Sequence, residues 1–349
     1  MNKSKKCKVK IVGATGYTGG ELIRLLLKHP QAEIVSLTGA GIGDAKPVHA
    51  FWPVLRGVCN LNVSEETNPG DAGDADVVFL STPHGVSMKL APAYLAKGYK
   101  VIDLSADYRF KNLAEREGWY DFPHTSPELC AEAVYGMPEL GCREEIKKAR
   151  LIANPGCYPT TAILSLYPGI KEGLLAPDGI HISSSSGVTG AGKNAKLPFH
   201  HPELDQNYFA YRVGKHQHAP EIVSILRSVT NKPVSASFVP HVLPLQRGIL
   251  STIFCRMADR NIALKQIWDC YQKTYGQEQF IRLYDLGEVP NLQGVRETNF
   301  VDISFHEDAM TGEFIIVAAE DNLTKGAAGQ AVQNMNIIMG FPEEWGLKP

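Results

Sequence analysis

The sequence has no long hydrophobic run, no excess of either charge and no close pair of cysteines. Nothing in it approaches the roughly 20 consecutive apolar residues that cross a bilayer, which argues against a membrane-spanning helix. Lys and Arg number 35 against 37 Asp and Glu. Such a balance offers no basic face for nucleic acid or an anionic membrane, and a small-molecule partner is expected instead. The basic stretch from Lys3 to Lys10 lacks the apolar core and cleavage site of a secretory signal and reads as a solvated tail. Seven cysteines are an odd number, and none sits at metal-ligand spacing from another, so a reducing cytoplasm and no metal are expected. Internal repeats and low-complexity tracts are absent too.

What is present suits two domains, since 349 residues exceed one ordinary core. In the first part, short β-branched runs at Val9 to Val12, Ile34 to Leu37, Val77 to Leu80, Val101 to Leu104 and Leu151 to Ala153 alternate with helix-like stretches. This rhythm predicts a Rossmann-type parallel sheet wrapped by helices, an α/β class. Leu22, Ile23, Leu26 and Leu27 give Gly19 to His29 an apolar face, and Pro30 ends that helix. From about Pro155 the strands lengthen and spread, at Ile180 to Ser186, Val234 to Val242, Leu250 to Arg256, Phe300 to Phe305 and Phe314 to Ala319. A mixed or antiparallel sheet in an α+β second domain follows, with helices over Thr160 to Tyr167, Pro220 to Val229 and Ile262 to Tyr275. The last helix, Gly326 to Met339, needs a surface to cover and is assigned back to the first domain. The expected division is therefore 1–153 with 325–349 for the dinucleotide, and 154–324 for catalysis and oligomerisation.

Residues 9–19 read VKIVGATGYTG, a strand entering a helix through Gly13, Gly16 and Gly19. Small residues there let the backbone approach a pyrophosphate, and the helix start offers it free N–H groups and a positive dipole end. Thr15, Tyr17 and Thr18 share that turn. The second strand ends in Val35-Ser36-Leu37-Thr38, without the carboxylate that binds a ribose 2′-hydroxyl, so the hydroxyls of Ser36 and Thr38 favour NADP.

Asn154-Pro155-Gly156-Cys157-Tyr158-Pro159 follows a strand and enters a helix, which places Cys157 at a helix N-terminus. There the dipole is expected to hold a thiolate ready as nucleophile, with backbone N–H groups for an oxyanion. Its proton shuttle is sought in His216 or His218, both just ahead of a predicted helix.

With these pieces in place, the sequence resembles the N-acetyl-gamma-glutamyl-phosphate reductases of the semialdehyde dehydrogenase group. The likeness runs through GATGYTGG (13–20), LSADYRF (104–110), NPGCYPT (154–160), SGVTGAGK (186–193), KHQHAPEI (215–222), FVPHVLPLQRGIL (238–250) and DNLTKGAAGQAVQ (321–333). It implies NADPH-dependent reduction of an acyl phosphate to a semialdehyde in arginine biosynthesis through a thioester on Cys157, with His218 favoured over His216 for the protons. Such a substrate carries a phosphate and a carboxylate, both suited to arginine forks. On that basis Arg109, helped by Lys193 or Lys196, is assigned to phosphate and Arg247 to the carboxylate. Ser186 and Gly187, in the polar loop 185–192, and Asn322 and Gly326 are expected at the cofactor, and His84 as a noncatalytic cofactor wall. Gln217 departs from the arginine often found between the paired histidines. The same chemistry on an N-succinyl, carrier-linked or aspartyl phosphate, or a noncatalytic dinucleotide sensor, are the alternatives. A homodimer or homotetramer is expected.

Overall fold

The computed structural model describes residues 6–194 and 196–348. Of the basic stretch expected as a tail, residues 3–5 lie outside the described residues, whereas Cys7 to Lys10 already belong to the first strand. Two sheets organise the chain. The first has the order β3-β4-β2-β1-β5-β6-β8-β7. Its strands are β1 (Cys7–Val12), β2 (Ala32–Gly39), β3 (Lys46–Pro47), β4 (Asn62–Glu65), β5 (Val77–Leu80), β6 (Lys100–Asp103), β7 (Val134–Tyr135) and β8 (Leu151–Ala153). All pairs are parallel except β3 with β4. The strands that read as continuous apolar runs are the central ones, because helices cover both their faces.

On one face, Leu22, Ile23 and Leu26 of α1 (Tyr17–Leu27) pack with Val9 and Ile11. On the other, Met88, Ala91 and Tyr94 of α2 (Ser87–Ala96) cover Val78 and Leu80. This second helix carries Pro92 inside it, a residue that reads as a breaker in sequence. The short helices α3 (Glu128–Glu132) and α4 (Arg143–Lys148) precede β7 and β8 respectively.

The second sheet runs β10-β11-β9-β12-β15-β14-β13. It comprises β9 (Ile180–Gly187), β10 (Phe209–Ala210), β11 (Ala236–Leu243), β12 (Ile249–Cys255), β13 (Ile281–Leu283), β14 (Val301–Glu307) and β15 (Phe314–Glu320). It is mixed: β9 pairs β11 in parallel and β12 antiparallel. Its core is built on α5 (Cys157–Lys171), whose Ala162, Ile163 and Leu166 meet Ile182, Ile253 and Ile316. The turn of helix α6 (His201–Leu204) and then α7 (His218–Thr230) lie between β9 and β11, and α7 makes a crossover that packs beside α5. Further on come α8 (Leu264–Tyr275) and the short α9 (Leu292–Val295). The closing helix α10 (Gly329–Met339), preceded by a π-turn over Thr324–Ala328, buries Ala331, Val332, Met335 and Ile338 in the core of the first sheet.

Two consequences position the site. The crossover sets the N-termini of α5 and α7 side by side, and the 324–328 turn packs against both α1 and α5. The cysteine and the paired histidines, about sixty positions apart in sequence, are thus brought together, and the glycine turn is tied to them through the 324–328 turn. Among the described residues, no helix is long and apolar enough to cross a membrane.

Candidate active site

The chain leaves β8 through Asn154 and Pro155 and enters α5 at Cys157, with Gly156 as the extended N-cap at φ −72° and ψ 155°. That backbone is open to any residue, so the glycine serves proximity. A methyl group on Gly156 would stand 2.6 Å from His218 Nε2 and 2.8 Å from Arg109 Nη1. Cys157 itself is half-buried. Burial pushes its thiol up to about 12, against the opposing pull of the Tyr158 N–H and the Arg109 charge. The expectation of a resting thiolate is therefore corrected. A helix N-terminus contributes about a kcal/mol where partly exposed, and desolvation of an anion outweighs it.

Both imidazoles, by contrast, are held neutral. Burial pushes His216 down to about 3 and His218 well below its ordinary value. The two rings lie 4.8 Å apart. His216 Nδ1 accepts the backbone N–H of His218 at 3.2 Å, which ties this imidazole to the start of α7. His218 turns Nε2 toward the cysteine turn, while its Nδ1 is buried without a partner. The structure thus distinguishes two histidines that the sequence left nearly equivalent.

Glu221, from the first turn of α7, is fully buried and organises the turn. One of its oxygens accepts the Gly156 N–H and the Tyr135 hydroxyl, each at 2.9 Å, and the other accepts Arg109 Nη1 at 3.0 Å. Arg109 also donates to the carbonyls of Asn154 and Leu104. It braces the backbone of the cysteine turn, and its charge is already balanced by Glu221. Glu221 was missed by sequence reasoning; a carboxylate in the first turn of the helix that His218 opens was the available signal.

At the glycine turn, Gly13 has φ +89°, and an added Cβ would lie 2.1 Å from the Ser81 carbonyl oxygen. A Cβ at Gly19 would lie 2.2 Å from the Gly13 carbonyl oxygen. Gly16 caps α1 without a side-chain partner, which leaves the first N–H groups, at Tyr17, Thr18 and Gly19, for an anion. Thr15 borders the turn and packs near Gly39 at the end of β2. The cradle fits a dinucleotide pyrophosphate. The end of β2, expected to be free of carboxylates, is not so in space, however. Thr38 donates its hydroxyl to Glu66 at 2.5 Å, and Glu66 pairs with Lys10 at 2.9 Å. Glu65 meanwhile accepts backbone N–H groups from Gly41, Ile42 and Gly43. These acids arrive from β4, hydrogen-bonded to β2 in space though remote in sequence, and Ser36 lines the same cavity.

Arg247 needs the firmest correction. Its guanidinium is clamped by Glu21 at 2.9 and 3.1 Å, by Asp321 at 2.9 and 3.0 Å and by Thr324 at 2.8 Å. It joins α1 to the closing turn instead of waiting for a substrate carboxylate. Lys193 is likewise on the cofactor side: its ammonium meets the Thr15 carbonyl at 3.2 Å and stands 4.2 Å from the Trp52 ring centroid. Lys196 is exposed. Ser186 hydrogen-bonds the Gly187 carbonyl, and Gly187 lies so close to the 246–247 backbone that a Cβ would meet Arg247 N at 2.7 Å. Asn322 holds Gly248 N and the Thr189 hydroxyl. Gly326 lies against Cys157, an added Cβ standing 2.9 Å from Cys157 Cβ. His84 accepts the Ala106 N–H and packs edge-on against Tyr120.

Arg212 was missed by sequence reasoning. It is exposed, held by Gln217, and its charge helps to keep both His216 and His218 unprotonated. The glutamine that departs from the family pattern thus anchors an arginine from the preceding loop.

Comparison with known proteins agrees with this assembly. Residues 8–149 match the family described as semialdehyde dehydrogenase, NAD binding domain, and residues 157–322 the semialdehyde dehydrogenase, dimerisation domain. An N-acetyl-gamma-glutamyl-phosphate reductase from Pelotomaculum thermopropionicum is 45% identical over 97% of each chain. One from Methanococcus maripaludis is also 45% identical, again over 97% of each. Among solved structures, aspartate semialdehyde dehydrogenase II from Vibrio cholerae, complexed with ASA, superposes with a TM-score of 0.71 at 18% identity, covering 97% of this chain and 99% of its own. The Candida albicans aspartate semialdehyde dehydrogenase, solved with NADP, gives 0.68 at 18% identity over 96% and 99%.

Proposed function

The chain belongs to the N-acetyl-gamma-glutamyl-phosphate reductase family of semialdehyde dehydrogenases, and from this premise we propose that it reduces N-acetyl-gamma-glutamyl phosphate to N-acetylglutamate semialdehyde, with NADPH as reductant, in arginine biosynthesis. The observation that carries the residue assignment is the approach of the Gly156-Cys157 turn to Nε2 of the neutral His218 imidazole.

A thiol beside a neutral imidazole is activated when the base takes its proton, so nucleophile formation is coupled to substrate arrival. The S–H proton of Cys157 passes to His218, the sulfur attacks the acyl carbon, and the C–O bond to phosphate breaks, releasing inorganic phosphate and leaving a thioester. N–H groups at the start of α5 receive the oxyanion of the addition step. NADPH, when bound, supplies the hydride that brings the thioester to the aldehyde level. His218 then gives its proton to the substrate oxygen, forming a thiohemiacetal, and takes it back as the C–S bond breaks, so that the carbonyl of the semialdehyde forms and the proton returns to the departing sulfur. Arg109 and Glu221 hold the turn for these events. Arg212, the exposed cation beside the histidines, takes the phosphate role first given to Arg109. The glycine turn with Tyr17, Thr18 and Gly19 holds the pyrophosphate, and Lys193 closes over it. The protein acts in the cytoplasm as a homodimer or homotetramer built through its second domain.

Cys157→Ser tests the assignment. NADP binding by fluorescence titration is expected to be unchanged, with reductive turnover lost; substantial retained turnover removes Cys157 from the nucleophile's role.

A further inference from the structure

Along β15, Phe314, Ile316 and Ala318 face the core of the second domain, and the two-residue period carries Glu320 inward behind them. Its side chain is fully buried, and neither carboxyl oxygen has a hydrogen-bond partner among the described residues. The charges around it are already engaged. Lys325 donates to Glu139 at 2.6 Å and Gln333 at 2.8 Å, while Asp321 is bound by Arg247 and by the backbone N–H groups of Glu297, Leu323 and Thr324. What does lie beside Glu320 is the nucleophile. The point where a Cβ would stand on Gly326 is 3.0 Å from Glu320 Oε1 and 2.9 Å from Cys157 Cβ. The absence of a side chain at 326 is what lets the two groups share this space.

An isolated buried carboxylate is too costly to keep charged. Desolvation accordingly pushes Glu320 well above the usual carboxylate range. A protonated carboxyl, however, has a donor that needs an acceptor. We propose that Glu320 is a positioning residue whose neutral carboxyl donates its O–H to the sulfur of Cys157 as that sulfur becomes anionic. The inference rests on the reading of Cys157 as nucleophile. The bond would be absent from the resting thiol and present in the thiolate, so it assists both the loss of the S–H proton and the later departure of sulfur from the substrate carbon. The proton remains on Glu320 throughout. The other groups facing Cys157 are His218, Arg109, Glu221 and the Tyr158 N–H; those facing Glu320 are Lys325, Asp321 and Tyr135.

The test is the pH profile of iodoacetamide alkylation at position 157 in the full chain, compared among wild type, Glu320→Gln and Glu320→Met, with Cys157→Ser identifying the labelled site. Glutamine keeps a donor and is expected to follow the wild-type profile within about twofold. Methionine fills the same space without a donor and is expected to react roughly ten- to hundredfold more slowly at neutral pH, its profile displaced upward. A methionine variant that follows wild type overturns the proposal. So does a glutamine profile displaced to lower pH, because that result means an ionised Glu320 had been opposing the thiolate. Wild-type labelling confined to other cysteines overturns the nucleophile reading itself, a separate failure.

Discussion

Gly156→Ala isolates the contact on which the catalytic reading depends. With φ −72° and ψ 155°, position 156 suits alanine as well as glycine, so backbone strain plays no part. The added carbon stands 2.6 Å from His218 Nε2 and 2.8 Å from Arg109 Nη1. An ordinary heavy-atom contact is about 3.5 Å. Both contacts are short, by about 0.9 Å at His218 and about 0.7 Å at Arg109, so both must give, and neither yields freely. Arg109 is fixed by Glu221, Asn154 and Leu104, and the His218 ring sits between His216 and Tyr158. Overpacking of this kind costs about 1–3 kcal/mol of stability. A shift near 1 Å in a proton-transferring group costs roughly a hundredfold in rate, or about 2.7 kcal/mol of barrier. The assay is phosphate-dependent oxidation of the semialdehyde with NADP, followed by absorbance, alongside a melting curve and an NADP titration. The expected pattern is a kcat about a hundredfold lower, a Tm lower by several degrees and unchanged NADP binding, since the glycine turn is untouched. A kcat within threefold of wild type would refute the assignment of His218 as the base at this distance.

Arg247→Ala should destabilise the protein by about 3 kcal/mol, because it leaves Asp321 buried without its cation and Glu21 with Arg24 alone; a raised substrate KM with an unchanged melting temperature would restore Arg247 to the substrate. Glu21 itself is held down to about 2 by Arg24 and Arg247 despite its burial. A carboxylate whose folded value is depressed contributes stability above the unfolded value of about 4.5 and loses it as pH falls toward 2. The contribution, on the order of 3 kcal/mol, is expected to vanish from the pH dependence of Tm in Glu21→Gln. His216, depressed to about 3, works in the same direction at higher pH: its stabilising share is present above about 6.5 and declines below, where the unfolded chain binds the proton and the folded one does not. His216→Gln should flatten that part of the melting profile. Glu66→Gln removes a negative charge beside Thr38 and releases Lys10, so kcat/KM with NADP should rise roughly tenfold relative to NAD; an unchanged ratio would place the 2′-phosphate elsewhere.

Local pattern made much of the architecture readable. The run Val77–Leu80 appears unaltered as a strand, and Ile180, Ile182 and Ile253 fill the core that the lengthening strands implied. Where local rules conflict with tertiary demand, the sequence offers no signal to read. Pro92 sits inside α2 because the helix is supported by packing over β5, and the two-residue strands β3, β7 and β10 exist only through their neighbours. At the site, the glycine turn, the cysteine at a helix start and the histidine pair were legible because each has its own local signature. Charge assignments were not, because a cation's role depends on which acids surround it.

The sequence alone determined the period of each element, the turns that need glycine and the placing of Cys157 at the first residue of a helix, since these depend on bonds and contacts within a few residues. The tertiary structure decided the ionisation of that cysteine, the separation of His218 from His216, the engagement of Arg247 with Glu21 and Asp321, and the delivery of Glu65 and Glu66 to the end of β2. Each of those outcomes depends on desolvation and on Coulomb interactions between groups brought together only by folding, whose magnitudes change with burial and distance and leave no trace in residue spacing.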